Sequence, residues 1–143
     1  MSTLLTADGL RFVTDRHLAT LSTIGPTGGI HVVAVGFTHV DGVVRVITGD
    51  GGQKVRNVER DPRASVAQVD GARWISLAGQ AVVERDEDAV ALAVRLYAER
   101  YRQPRPNPRR VVIRIEVDQV LASAGLRAPA APTSLSWGGS DPS

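Results

Sequence analysis

Two Asp-Gly dipeptides, Asp41-Gly42 and Asp70-Gly71, each separate two runs of residues that are rich in β-branched side chains. An Asp-Gly pair in this position is a strong signal for a tight hairpin turn, because both residues tolerate the backbone angles that such a turn requires. We therefore predict that the runs on either side of each dipeptide pair as antiparallel strands. Aromatic residues make up only 4% of the chain, so valine, alanine, leucine and isoleucine must build most of the core.

Six runs have the composition and the alternation expected of strands. Gly79, within the fifth run, predicts a β-bulge or a close backbone approach. We expect the first three strands to form a meander. The predicted strands are Leu18–Ile24, Ile30–Val40, Val43–Thr48, Ala64–Val69, Ala72–Glu84 and Arg109–Val120.

Three segments have helical spacing of their apolar residues: Thr6–His17 with Thr6 as N-cap, Gln53–Asp61, and Asp86–Tyr101. Six strands with short turns and two or three helices predict a mainly β protein, built as a closed or nearly closed antiparallel barrel. A small barrel fills its interior with side chains, so a ligand is expected outside it, in a homodimer groove.

The chain of 143 residues is long enough for one domain, which we assign to residues 1–124. Residues 125–143 are rich in Pro, Ala, Ser and Gly, and we expect a tail that is poorly ordered or draped over a partner from Ser123 onward. A net charge of +2 without a basic block argues against nucleic acid. We found no signal peptide, no apolar run long enough to cross a membrane and no cysteine, and we expect a cytoplasmic protein with no membrane partner.

The stretch Arg45–Pro62 runs from a strand through a glycine-rich turn, Gly49-Asp50-Gly51-Gly52, into the helix that opens on Gln53 and Lys54. Backbone N–H groups at such a turn favour anions, which predicts a phosphate cradle. The chain has sixteen arginines and one lysine, Lys54. A lone lysine here indicates a need for a compact charge, although a surface lysine at an ordinary helix terminus explains the pattern equally well.

Other catalytic motifs are not found. His17, His31 and His39 lack metal-binding spacing, no serine lies in a Gly-x-Ser-x-Gly motif, and the glycine-rich turn matches neither a Walker loop nor a dinucleotide fingerprint. We predict no metal and no catalytic side chain, which leaves the chemistry to a cofactor. The pair Arg73-Trp74 could bind an acidic planar ring, or Trp74 could cap the core; the arginines around the prolines of Gln103–Pro108 could form a solvated loop or recognise a carboxylate.

Five blocks of the sequence resemble the actinobacterial split-barrel flavin and deazaflavin oxidoreductases related to pyridoxamine 5′-phosphate oxidase. They are most similar to the branch of biliverdin reductases that depend on coenzyme F420, and the resemblance covers roughly Leu10 to Ala124. The blocks are His31–Phe37, Arg45–Gly49, Gly52–Asn57, Gln68–Trp74 and Tyr101–Arg110.

The resemblance implies a six-stranded antiparallel split β-barrel of the FMN-binding type, and a homodimer that binds coenzyme F420, an 8-hydroxy-5-deazaflavin, at its interface. The deazaflavin ring would lie against the second and third strands, with Gln68, Arg73 and Trp74 contributed by the same or the partner subunit. Hydride would pass to a tetrapyrrole or another conjugated small molecule, by analogy from biliverdin to bilirubin. FMN instead of the deazaflavin, or a noncatalytic carrier, are the alternatives. The implied cofactor-binding residues are Val33, Val35, Gly36, Ile47, Thr48, Gly52, Gln53, Lys54, Asn57, Gln68, Arg73 and Trp74.

Overall fold

A computed structural model describes residues 4–129 of the chain. The predicted fold class, mainly β with three helices, is confirmed. Its elements in chain order are α1 (Ala7–Thr14), β1 (Ala19–Ile24), β2 (Ile30–Val35), β3 (Thr38–Val40), β4 (Val43–Gly49), α2 (Gln53–Arg60), β5 (Arg63–Asp70), β6 (Arg73–Glu84), α3 (Glu87–Arg100) and β7 (Arg110–Ala122).

The seven strands form one antiparallel sheet in the order β2-β1-β5-β6-β7-β4-β3. Its two edge strands, β2 and β3, are separated in the chain only by Gly36 and Phe37. Three residue steps span at most about 11 Å, whereas a flat sheet of this size would separate its edges by about 29 Å. The sheet must therefore curl until its edges approach each other. Within residues 4–129 the edges do not pair, so the barrel is split.

The prediction of one strand over Ile30–Val40, and with it the count of six strands, is wrong. Residues 30–35 pair with β1, whereas Thr38–Val40 pair with β4 at the other edge of the sheet. The predicted three-stranded meander is therefore two separate hairpins. The alternation of buried and exposed residues breaks only after Phe37, since Thr38 is also buried. The run of strand-forming residues continues through this point, so the sequence pattern does not record the change of partner.

Helices α1 and α2 close opposite ends of the barrel. Phe12 and Val13 of α1, and Val55 and Val58 of α2, all belong to the buried core. At one end Gln68 of β5 donates a hydrogen bond to the carbonyl of Phe12, 2.7 Å away. At the other end a buried side-chain hydrogen bond of 3.1 Å joins α2 to β1. Side chains fill the interior, and a ligand must bind outside it.

The bulge predicted at Gly79 is confirmed. The register between β6 and β7 shifts after Ala78, which leaves Asp118 as the extra residue. A Cβ atom on Gly79 would lie 1.8 Å from the carbonyl oxygen of Glu116, a distance at which two atoms overlap. Glycine is therefore required here by close backbone approach.

The predicted helices are present with small differences at their ends. Thr6 is the N-cap of α1, as predicted, and accepts a hydrogen bond from the N–H of Gly9. This helix ends at Thr14, three residues before the predicted end at His17.

Part of the segment that we assigned to the tail packs on the domain. Leu126 is only 2% exposed, and its carbonyl accepts a hydrogen bond of 3.1 Å from the N–H of Thr6. The packed part of the chain therefore extends beyond Ser123. The expectation for residues 130–143 lies outside the described residues and stays a prediction.

Helix α3 packs against β3, β4 and β7 and covers that part of the sheet's outer surface. The outer surface of β2, β1, β5 and β6 has no such cover from residues 4–129, and we call it the open face. None of its central residues is charged, and Ile30 is 75% and Val32 54% exposed. Its central residues are Thr20, Ser22, Ile30, Val32, Ala34, Ser65, Ala67, Ser76 and Ala78.

Within residues 4–129 no helix has both the length and the hydropathy needed to cross a membrane.

Candidate functional site

A cavity of about 270 Å³ lies in the split of the barrel, between β2 and β4. Strand β3 pairs only with Val43–Arg45, so the rest of β4 has no partner on this edge. Strand β2 likewise pairs only with β1 among the described strands. The cavity therefore lies where the two edges of the described sheet face each other without pairing. Its lining consists of Ala34, Val35, Gly36, Ile47, Thr48, Gly49, Lys54, Tyr97, Pro104, Asn107 and Arg110.

The glycine-rich turn after β4 is held in place from two sides. On one side, the N–H of Asp50 donates to the carbonyl of Arg109 at 2.7 Å, which ties the turn to the proline-rich connector. On the other side, Arg85 donates two hydrogen bonds to the Asp50 carboxylate, at 2.9 and 3.0 Å. These bonds lower the pKa of Asp50. Gly51 has a φ of +82°, a conformation that favours glycine.

Helix α2, which follows the turn, begins differently from the other two helices. Thr6 and Asp86 cap α1 and α3 with their side chains, and acidic residues lie in the first turn of both helices. The N-cap of α2 is Gly52, which offers no side-chain acceptor, and the first turn of α2 contains no acid. Its first N–H groups, together with the positive end of the helix dipole, can therefore bind an anion.

The charges that line the cavity have one sign. Lys54 and Arg110 are the two charged residues of the lining, and no carboxylate accompanies them. Lys54 is half-buried and has no ion-pair partner within residues 4–129. Such a cavity attracts an anionic ligand, because two partly desolvated cations lack a compensating charge.

Five of the twelve predicted cofactor residues line this cavity: Val35, Gly36, Ile47, Thr48 and Lys54. Two more, Gly52 and Gln53, lie at the start of α2. The side chain of Gln53 is bonded to Arg56 and Asn57 along the helix. Asn57 is fully buried and donates to Thr23, so it anchors α2 on β1.

The other four predicted residues lie apart from the cavity. Val33 packs on the core. Gln68 is 1% exposed, and both ends of its amide are bonded within the chain. The guanidinium of Arg73 lies 4.8 Å from the ring centroid of Phe12. The backbone of Trp74 is bonded to Ser123.

Six lining residues were not predicted: Ala34, Gly49, Tyr97, Pro104, Asn107 and Arg110. Two of these, Pro104 and Asn107, belong to the proline-rich connector, and Arg110 begins β7 directly after it. The sequence indicated this segment only as a basic loop or a carboxylate-binding segment. Asn107 shapes it by accepting a hydrogen bond from the N–H of Arg109 at 2.9 Å. Tyr97 lies in the apolar stripe of α3, where helical spacing indicates core packing. No sequence signal distinguishes a stripe residue that faces a cavity from one that faces the core.

The chain matches the family model described as pyridoxamine 5′-phosphate oxidase over residues 5–124. It is 52% identical, over 127 residues, to a biliverdin reductase of Mycobacterium tuberculosis that depends on reduced coenzyme F420. That alignment covers 87% of this chain and 93% of the relative.

Solved structures have the same fold. One, a conserved hypothetical protein of Mycobacterium tuberculosis, superposes with a TM-score of 0.74 at 28% identity and covers 98% of this chain and 94% of its own. Another, named F420 reductase, superposes with a TM-score of 0.66 at 22% identity and covers 78% and 94%.

Proposed function

Since the chain belongs to the pyridoxamine 5′-phosphate oxidase family, we propose that it is an oxidoreductase that uses reduced coenzyme F420 to reduce biliverdin to bilirubin. The observation that carries this proposal is the cationic cavity in the split of the barrel, at the uncapped start of α2. The chain is also 52% identical to a reductase that is named for this cofactor and substrate, which supports the proposal.

The residues of the cavity fit a phosphorylated, ring-bearing cofactor. Lys54, Thr48 and the first N–H groups of α2 would hold the phosphate. The small or apolar wall of Val35, Gly36 and Ile47 would lie against a planar ring. When bound, the reduced 5-deazaflavin supplies the hydride. The chain's own residues bind the cofactor, orient it and exclude water from one side.

The substrate's carboxylates also have candidate partners. Biliverdin carries propionate groups, and the cavity has a second cation, Arg110, at the side formed by the connector. Arg102, Arg105 and Arg109 are exposed on the same connector. We infer that these arginines orient the tetrapyrrole through its propionates. We assign no proton donor.

We also propose that the protein is a homodimer that buries the open face. A face whose central residues carry no charge, and on which Ile30 and Val32 are exposed, is typical of an interface and costly in water. A second cavity, of about 360 Å³, lies on the same side of the sheet. Trp74 lies at the end of this face, next to the buried Ile75, and would reach the cofactor site of a partner. Arg73 would have to leave the ring of Phe12 to do the same.

We infer that the protein acts in the cytoplasm. The chain has no cysteine, and the similar biliverdin reductase of Mycobacterium tuberculosis depends on a reduced coenzyme. Both features suit a reducing compartment.

A single assay tests the proposed function against its alternatives. Reduced coenzyme F420 and biliverdin, each in large excess over the protein, are mixed while the absorbance of biliverdin and bilirubin is followed. We expect many turnovers per protein molecule. Conversion limited to one equivalent indicates a carrier. In a separate titration of the protein with each cofactor, tight FMN binding without any response to the deazaflavin would overturn the choice of cofactor.

A further inference from the structure

The two-residue link Gly36–Phe37 joins the two edges of the sheet, and Gly36 forms part of the cavity wall. Because β2 and β3 do not pair within residues 4–129, no strand pairing holds this link. The N–H and the carbonyl of Phe37 are bonded instead by side chains from the end of α3. The shape of the cavity at Gly36 therefore depends on a different element.

Tyr101 forms a hydrogen bond with the backbone N–H of the link. Its hydroxyl accepts a hydrogen bond from the N–H of Phe37 at 3.1 Å and donates to the carbonyl of His17 at 2.7 Å. Burial raises the pKa of Tyr101, so the hydroxyl keeps the proton that it donates. Its ring lies against Gly36, where an added Cβ atom would approach the ring carbons to 3.1 Å.

Arg100 forms a hydrogen bond with the backbone carbonyl of the link. Its guanidinium donates to the carbonyl of Phe37 and, at 2.8 and 3.1 Å, to the carbonyl of Asp15. It also stacks on the ring of Phe37, 4.6 Å from the centroid. All of its hydrogen-bond acceptors are neutral oxygens, and burial lowers the pKa of Arg100. Within residues 4–129 no carboxylate forms an ion pair with Arg100, although the charge of Asp15 partly opposes the effect of burial on its pKa. A partly buried cation without an ion pair is costly, so its hydrogen bonds must compensate.

Gln68 completes this arrangement from β5. Its carbonyl oxygen accepts from Arg100 at 2.7 Å, and its amide nitrogen donates to Phe12 of α1 at 2.7 Å. Because both groups are used and the side chain is 1% exposed, Gln68 has no free group for a ligand of its own subunit. Any effect of Gln68 on the cavity therefore passes through its two partners, Arg100 and Phe12.

We propose that Gln68, Arg100 and Tyr101 form a positioning clamp that holds the Gly36–Phe37 link and thereby sets the cofactor-facing wall of the cavity. None of the three is a catalytic residue, since none lines the cavity. Through the clamp, residues from β5 and the end of α3 would act on cofactor binding without touching the cofactor. This inference rests on the proposed function for the identity of the ligand.

The variant Tyr101→Phe tests the clamp, because it keeps the ring against Gly36 and removes only the hydroxyl. Amide hydrogen exchange of a peptide that contains Phe37 is measured without cofactor, and the Kd for coenzyme F420 is measured by fluorescence. We expect exchange at Phe37 and the Kd each to rise about fivefold, the factor for loss of the hydrogen bond that holds the Phe37 N–H. Arg100→Lys, which loses the planar fork, should act in the same direction.

The matched control is Arg95→Lys, an exposed arginine of the same helix that lies 3.9 Å from Glu99; it should change neither quantity. Unchanged exchange at Phe37 in Tyr101→Phe overturns the clamp, and faster exchange with an unchanged Kd overturns its link to the site. A wild-type protein that binds no coenzyme F420 contradicts the proposed function instead. The Kd is then measured with FMN, and the same two outcomes decide on the clamp.

Discussion

Lys54 shows how a single side chain can be singled out by composition and then located by the fold. It is the only lysine of the chain, and it lines the cavity at the start of an uncapped helix. We predict that Lys54→Ala weakens binding of coenzyme F420 by about 1.5 to 3 kcal/mol, the range for a hydrogen bond to a charged group. Isothermal titration calorimetry measures this loss.

Two further variants show whether a loss of affinity in Lys54→Ala comes from its compact charge at this position. Lys54→Arg should also lose affinity if the compact ammonium matters, because a guanidinium is planar and larger. Arg95→Ala removes a charge from exposed α3 and should leave the affinity unchanged. Full affinity in Lys54→Ala would remove the phosphate cradle from the proposed site.

His39 predicts a dependence of the protein's stability on pH. Its Nδ1 atom is buried without a hydrogen-bond partner among the described residues, and burial lowers its pKa below 6.5, with Asp41 partly opposing the shift. The unfolded chain therefore takes up this proton at a higher pH than the folded protein. The corresponding stability is complete above about pH 6.5 and is lost as the pH falls through the folded pKa.

Thermal unfolding at several pH values between about 7.5 and about 5 measures this effect. We expect the Tm of the wild type to fall across this range more steeply than that of His39→Gln, which cannot take up the proton. Parallel slopes for the two proteins would show that His39 does not contribute.

At the scale of elements, the bulge between β6 and β7 depends on one glycine. We predict that Gly79→Ala destabilises the protein by about 3 kcal/mol or prevents folding, because the new Cβ atom would overlap the backbone of Glu116. Gly29→Ala is the control, since an added Cβ meets nothing within 4 Å there and the backbone φ is not in the left-handed region. Chemical denaturation measures both, and equal stability of the two variants would contradict the close approach.

At the scale of the whole molecule, the open face predicts the oligomeric state. Val32→Asp places a charge in the centre of the proposed interface and should convert a dimer into a monomer at micromolar concentration. Val40→Asp changes an exposed valine of β3, which is not part of the open face (40% against 54% exposed), and should remain dimeric. Light scattering after size-exclusion chromatography gives the mass of each, and a monomeric wild type would refute the interface.

Much of the fold and part of the site could be predicted because their causes are local. Turn residues at Asp41-Gly42 and Asp70-Gly71, alternation in the strands, and capping residues such as Thr6 act over a few positions. The glycine-rich turn and Lys54 are also adjacent in the chain, so one short segment of sequence was enough to predict the phosphate cradle. Recognition of the family depended on short blocks of the same kind.

Other features depend on contacts that only the tertiary structure decides. The run of strand-forming residues continues past Gly36, so the sequence could not show that β2 and β3 pair at opposite edges of the sheet. Gln68 was predicted as a cofactor residue, but Arg100, thirty-two positions away, occupies its amide oxygen. The cavity joins β2, β4, α3 and the connector. By itself, the sequence determined the local elements and the family, whereas the curling of the sheet decided which residues face the site, because it brings together segments that are far apart in the chain.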